Sequence, residues 1–446
     1  MRAKRTAQIS LYDQFAAHDI GRELAGMSDL LDAHPVLLDV VAEDLGSSAA
    51  TGRCGLSAES ALRCALLKQY RQLTYEELAF HLLDSASFQA FARLPQDWTP
   101  SKAALQANIA TIRETTWQVI NTQLLGSARQ AGVERGTLWR VDSTVIDSPI
   151  HAPSDSTLLL DSVRVMVRLL ASGQALPGAP VLGWHNHLRR AKKRARAIRY
   201  TRGKDKQQAL YRDLVALTQA TLGYLEHSVT RLRRSGAEPT ALLAWQAEVE
   251  PFVPLIVQVI DQTQRRVFNG ERVPAAEKVV SLFEPHTDII VKDRRDVHYG
   301  HKLNLTSGHS GLIFDAVIEA GNPADAERFL PMLTRHIEMF GRVPRQVAAN
   351  GGYASKDNLA AAQQAGVKDV AFHKKRGLTV EAMARSPWVY RKLGNFRAGI
   401  EAGISCLKRA YGLARCTWKG LAHFKAYVGS SVVAHNLVLL ARLQPT

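Results

Sequence analysis

Apolar residues recur at helical spacing through the first 130 positions, in Leu30-Leu31, Leu37-Leu38 and Val41 and again in Leu62, Ala65, Leu66 and Tyr70, without strand-like alternation. Ser57 and Thr74 stand where helix N-caps are needed. Thr74-Tyr75-Glu76-Glu77 has the spacing of a capping box, in which Glu77 reaches back to the cap. At Thr137 the pattern changes. Leu138-Trp139-Arg140-Val141-Asp142 mixes aliphatic, aromatic and β-branched residues before polar Ser143-Thr144, and predicts a buried strand ending on a carboxylate. Helical patterning returns from about residue 151 to 295, in Leu158 to Leu170 and in Lys206 to about Leu232.

Strand signals resume at His301 to Thr306, followed by a turn at Ser307-Gly308-His309-Ser310-Gly311 and a second strand from Leu312 to Ile318, a predicted hairpin. Gln346-Val347-Ala348-Ala349 predicts a buried strand that stops at Asn350-Gly351-Gly352-Tyr353. Ser355 is then placed to cap a helix carrying Leu359 to Gln364. A short strand at Lys368 to Phe372 and a helix from about Asn395 to Leu413 complete the pattern. Asn269-Gly270 to Pro274 and Ser386-Pro387 to Leu393 read as loops. The order predicts an α/β chain in three parts: an all-helical N-terminal domain over 1–130, a mixed-sheet core over 131–150 and 296–446, and a mainly helical insertion over 151–295.

Composition adds a partner. The chain has 446 residues, 46% hydrophobic, and carries 57 Lys+Arg against 41 Asp+Glu, a net charge of +16. Such a balance favours a polyanion through counterion release, and DNA is the expected partner. Arg189, Arg190, Lys192, Lys193, Arg194, Arg196, Arg199, Arg202, Lys204 and Lys206 form a dense basic stretch interrupted by Asp205, read either as a solvated helix face or as a contact to the DNA backbone. The N-terminal residues lead into no apolar run of signal length, and no membrane span is expected, so the reading is cytoplasmic. Cys54, Cys64, Cys406 and Cys416 form no CxxC pair, which predicts reduced structural thiols and no zinc site. Gly203-Lys204 is followed by Asp205, so no Walker A sequence forms and ATP is not expected.

Acids at strand ends and on a helix facing them are the groups that hold hard divalent cations for phosphodiester chemistry. Asp142 closes the first predicted core strand and Glu401 lies in the last predicted helix. At about 100° per residue, Arg397 sits about 40° from Glu401 and Lys408 about 20° to the other side, so the three share a face. By spacing alone, Glu401 could equally be an ordinary i−4 salt bridge to Arg397. Asp147 reads as part of a turn at Ser148-Pro149. His301 beside Lys302 is placed either to approach phosphate or to serve as a structural strand histidine. Trp418 with Lys419 is placed either to bind a displaced nucleotide or to pack.

Taken in order, Trp139 to Thr144, Tyr299-Gly300-His301-Lys302 with Leu303-Asn304-Leu305, Gly321-Asn322-Pro323-Ala324-Asp325, Ala349 to Tyr353, and Phe396 to Glu401 through Lys408 resemble the DDE transposases of bacterial insertion sequences. The likeness is nearest to ISNCY-type elements within the RNase H-like transposase and integrase superfamily. The resemblance implies an RNase H-like core and a helical DNA-binding domain before it. It implies a catalytic and metal-binding triad at Asp142, position 350 and Glu401 for two Mg²⁺ ions, with Mn²⁺ as substitute. It also implies double-stranded DNA partners, namely terminal inverted repeats and target DNA, cut by a homodimer on paired ends in the nucleoid. Arg397 and Lys408, with His301, Lys302 and the basic stretch, are then expected at DNA.

Arg397, Glu401 and Lys408 match the family's Y-R-E-K signature, but its tyrosine position is Gly394, the nearest preceding tyrosine being Tyr390. The larger departure is Asn350, where the pattern has aspartate. An amide offers a carbonyl oxygen but no charge, so an inactive or impaired enzyme is expected, or a DNA-binding protein or repressor derived from one. A deliberate substitution, decay of the element, or rescue by Asp315 or Asp357 would each account for it.

Overall fold

A computed structural model of the chain describes residues 4, 17–46, 55–95, 98–292, 296–373 and 376–443. Cys54 and the basic residues Arg2 and Arg5 lie outside them. The chain divides into two compact units, one of residues 1–148 with 301–446 and one of residues 149–300.

The first unit is built on an open mixed sheet. Its strands are β1 (Leu138–Asp147), the second part of β3 (Asp296–Ser307), β4 (Ile313–Ile318), β5 (Gln346–Ala349) and β6 (Asp369–Phe372). They run in the order β3-β1-β5-β6, with β4 antiparallel on β3 and with β1, β5 and β6 parallel. The predicted hairpin forms, Leu303 facing Ile318 and Thr306 facing Asp315. Strand β1 does not stop at Asp142. It continues to Asp147, which bridges to Arg415, and its extension is held by hydrogen bonds from Asp147 N to Ala414 O and from Cys416 N to Asp147 O. Asp147 is therefore a strand residue, not part of a turn.

Side-chain parity along the sheet decides what each face meets. Trp139, Val141, Val347, Val370 and Phe372 point to the main core, where they meet Phe329 and its neighbours on the Asp325–Phe340 helix. Ala348 and Ala371 point to the other face, and their small side chains admit the Pro387–Ala410 helix, whose Val389 and Leu393 join them. That helix starts where the sequence predicts a loop: Ser386 is its N-cap, accepting from Val389 N, and Pro387 fills the first turn.

The helices of residues 19–130 share one continuous hydrophobic cluster with the sheet. The Ala58–Tyr70 helix is buried on every side and packs on Leu421–Leu443, itself largely buried. Ser57, Thr74 and Ser355 cap as their positions predict, Thr74 and Glu77 completing the capping box.

In the second unit the helices Asp155–Gln174, Leu188–Tyr200, Lys204–Arg233, Pro239–Val249 and Phe252–Thr263 enclose their own core around Leu159, Met166, Leu225 and Ile256, with Trp245 donating to Leu169 O. Strand β2 (Asp288–Lys292) pairs antiparallel with the first residues of β3, Asp288 facing Gly300. Two segments are long and apolar enough to cross a membrane by length and composition, Pro239–Phe268 and Leu421–Leu443, where none was expected. In Leu421–Leu443 that apolar character is core packing, because Val433, Ala434 and Leu437 are fully buried and Asn436 hydrogen-bonds Ile313 and Asn121.

Candidate active site

Strand parity that sends Trp139 and Val141 into the core sends Arg140 and Asp142 toward the Pro387–Ala410 helix. Arg140 is buried there, its guanidinium 4.7 Å from the Phe396 ring centroid and donating to Phe396 O and Ser307 Oγ. Burial pushes its pKa down to about 10. A Cβ at 399 would run into Arg140 Nη1, so glycine there lets the helix and the buried arginine approach this closely without either shifting.

Parallel pairing sets the next step. Leu138 to Val141 face Gln346 to Ala349 in register, so the residues that follow, Asp142 and Asn350, emerge side by side. Asn350 Nδ2 donates to Asp142 Oδ1 at 3.0 Å, and Asn350 Oδ1 accepts from Gly351 N at 2.7 Å as the cap of a short 3₁₀ turn. Behind that turn Gly352 sits against Asp325, whose carboxylate leaves no room for a Cβ.

Arg397 completes the cluster. Its Nη1 lies 2.7 Å from Glu401 Oε1 and 3.7 Å from Asp142 Oδ2, so one guanidinium bridges both acids. Asp142 is 4% exposed, whereas the Glu401 side chain is 55% exposed and opens the cluster to solvent. Burial raises the Asp142 pKa, opposed by the hydrogen bonds from Asn350 and Ser143 N and by Arg397, and reinforced by the charge of Glu401. Arg397 Nε is buried without an acceptor among the described residues.

The other expected site residues are dispersed. His301 is buried, edge-on to Phe424 of the Leu421–Leu443 helix at 4.9 Å, and Lys302 is buried with its ammonium on Asp325 and Pro323 O at the start of the Asp325–Phe340 helix, so helices cover both side chains. Neither is at the surface. In the Leu188–Tyr200 helix, Ala191, Ala195 and Ile198 form the buried stripe. Arg189, Lys192, Lys193, Arg196 and Arg199 are exposed, while Arg190 and Arg194 are paired with Asp213. Lys408 lines a pocket described below. Tyr390 donates to Phe372 O at 2.7 Å, a role at the end of β6 and not in the cluster.

Neither rescuing acid joins it. Asp315 is bound by Arg335 through both carboxylate oxygens rather than facing solvent, and Asp357 lies in the first turn of the Lys356–Gln364 helix.

As a metal centre the donors fit in kind but fall short in charge. Asp142, Asn350 and Glu401 offer oxygen, suited to a hard cation. Yet Asn350 turns its amide N–H toward Asp142, and Arg397 already bridges the two acids. Among the described residues no three His, Cys, Asp or Glu side chains gather as a metal-binding group.

Residues 288–437 match the family model described as the transposase DDE domain. The matched span holds Asn350, Arg397, Glu401 and Lys408 and begins after Asp142. No curated protein and no solved structure matches the chain.

Proposed function

We propose that this protein is a DDE-type DNA transposase in architecture, with an RNase H-like core, whose centre is Asp142, position 350 and Glu401, and that as written it binds DNA with cutting lost or strongly impaired. The observation that carries the reading is the register that delivers Asp142 and Asn350 to one point beneath Glu401 and Arg397. The match to the transposase DDE domain over 288–437 supports it.

In this reading the terminal repeats and target DNA are bound by the exposed cations of the Leu188–Tyr200 helix and by the N-terminal helices, with two copies of the chain on paired ends. With a carboxylate at position 350, Asp142 and Glu401 would help to hold a divalent ion, Mg²⁺ or Mn²⁺, which when bound would supply Lewis acidity and an activated water for phosphodiester cleavage and strand transfer. Arg397 has two tasks: it keeps Asp142 ionised against burial, and it presents a cation to a phosphate entering from the exposed Glu401 side. Asn350 holds Asp142 in place by a hydrogen bond but adds no negative charge.

The second reading is a DNA-binding protein or repressor without catalysis. The Asn350–Asp142 hydrogen bond favours it, since that bond satisfies the buried carboxylate without any metal. Incubating the protein and its Asn350→Asp variant with terminal-repeat duplex and Mg²⁺ or Mn²⁺ separates the two. Binding by both with cutting by the variant alone supports a disabled transposase. Binding by both with cutting by neither removes position 350 from the centre.

A further inference from the structure

A cavity of about 450 Å³ opens on the first unit between the helices Ala58–Tyr70 and Tyr75–Asp84 and the segment that follows the Pro387–Ala410 helix. Its wall carries three cations, Lys68, Lys408 and Arg415, and three aromatic rings, Tyr75, Trp418 and Tyr427, with no acidic side chain. Lys68 is only 6% exposed. Its ammonium lies 4.8 Å from the Tyr75 ring centroid and 5.9 Å from that of Trp418. Trp418 Nε1 is buried without an acceptor among the described residues. Burial pushes the Lys68 pKa down to about 8.

A largely buried lysine ammonium and a buried, unpartnered indole N–H, on two residues that wall a cavity of ligand size, call for an anion. The aromatic half of the wall calls for a planar group attached to it. We propose that this cavity binds one nucleotide unit, its phosphate on Lys68 and its base against the rings of Tyr75 and Trp418. That the occupant is a nucleotide rests on the proposed DNA substrate; that it is a planar anion rests on the wall itself. Lys408 lies seven residues beyond Glu401, about 10 Å along the same helix. A strand at the Asp142–Glu401 cluster can therefore place a neighbouring nucleotide here.

Fluorescence anisotropy of a labelled single-stranded oligonucleotide on the full chain tests this, with a nucleoside monophosphate as competitor. Two variants are used: Lys68→Met, which removes the buried ammonium, and Thr417→Trp, which fills the cavity from its exposed rim and leaves Lys68 in place. Each should weaken single-strand binding by about tenfold with the melting temperature and duplex affinity unchanged. Wild-type binding should also fall as pH rises through about 8, and this dependence should vanish in Lys68→Met. Competition by the monophosphate as strong as by unlabelled oligonucleotide identifies a free nucleotide as occupant; competition by the oligonucleotide alone identifies a strand. A Thr417→Trp protein with wild-type melting that binds the single strand at wild-type affinity overturns the proposal, whatever Lys68→Met does. Failure of the Asn350→Asp variant to cut DNA while single-strand binding persists removes the transposase reading and leaves the cavity assignment standing.

Discussion

Replacing Asn350 by aspartate should convert a self-satisfied cluster into one that needs a cation. In the native chain Asn350 Nδ2 donates to a buried carboxylate at 3.0 Å, a hydrogen bond to a charged acceptor worth about 1.5–3 kcal/mol. The variant loses that bond and sets a second carboxylate against Asp142. At an effective dielectric constant near 20, two like charges some 4 Å apart repel by about 4 kcal/mol, of which Arg397 offsets a part. Without divalent ions near neutral pH, a net loss of about 2–5 kcal/mol is expected, lowering the melting temperature of this unit by several degrees. The sign with pH follows from the elevated folded-state pKa. Asp142 is already raised by burial, and the new neighbour raises it further. The unfolded chain therefore gives up its protons first as pH climbs out of the ordinary carboxylate range, so the deficit grows with rising pH and shrinks on acidification. Millimolar Mg²⁺ or Mn²⁺ should restore the variant and leave the native protein almost unmoved, by selective binding to the folded state. Melting curves of both proteins in EDTA and in Mg²⁺, across a pH series, read this out. A variant that melts like the native protein in EDTA, or a native protein that gains as much from Mg²⁺ as the variant, would refute the reasoning.

Gly399→Ala should cost about 1–3 kcal/mol in denaturant unfolding, because the added methyl displaces Arg140 from Phe396 O and Ser307 Oγ; an unchanged midpoint would show that the arginine relocates freely. His336, buried between Trp139, Phe314 and Phe340 with burial pushing its pKa down to about 4, stays neutral while the unfolded chain protonates. Stability is therefore full above the ordinary histidine range and should fall by up to about 3 kcal/mol as pH drops from about 6.5 to about 4, a loss that His336→Gln should largely remove in pH-dependent melts. In the basic helix, Lys192→Ala with Lys193→Ala should flatten the slope of log affinity for duplex DNA against log salt by about 0.9 for each phosphate no longer neutralised. Arg190→Ala, paired with Asp213, should change it less, and equal effects would mean that the ion pair opens on DNA.

Elements announced by local chemistry are legible in the chain, and those fixed by distant partners are not. The caps at Ser57, Thr74 and Ser355 depend on side chains two or three residues from the backbone they satisfy, and each stands where its sequence places it. The Asp325–Phe340 helix is hidden because Pro331 interrupts its pattern, although Asp325 and Glu327 in its first turn are signals for it. The Leu421–Leu443 helix has apolar residues on every side, so it offers no stripe to detect. Ser386-Pro387 is punctuation that suits a loop and a helix start equally, and only the seat on Ala348 and Ala371 decides for the helix. In the site, helix spacing announces the Arg397–Glu401 salt bridge, which forms, and the family resemblance is what singles out Asp142 and Glu401 as acids of the centre. The bridging of both by Arg397 is announced by neither, since it depends on the register of β1 on β5 and on the close approach at Gly399. Burial of His301 and Lys302 has the same origin: helices distant in sequence cover them, through Phe424 and Asp325, and a strand segment does not carry that information alone.

The substitution at position 350 acts on charge and leaves shape almost untouched, which is why its consequence should fall on the charge balance of the cluster and not on the architecture around it. Asparagine and aspartate are nearly isosteric, and the oxygen that caps the turn at Gly351 is present in both. The register of β1 on β5, the bridge through Arg397 and the packing of Phe396 on Arg140 make no use of a negative charge at 350. Exposed cations of the Leu188–Tyr200 helix, in the other compact unit, make none either. An amide here therefore leaves the fold and the exposed cations in place while it removes a negative charge from the point where the register sets position 350 beside Asp142. On the proposed reading, binding and cutting rest on different groups and should separate: duplex affinity equal for the native chain and Asn350→Asp, and divalent-ion dependence found in the variant alone.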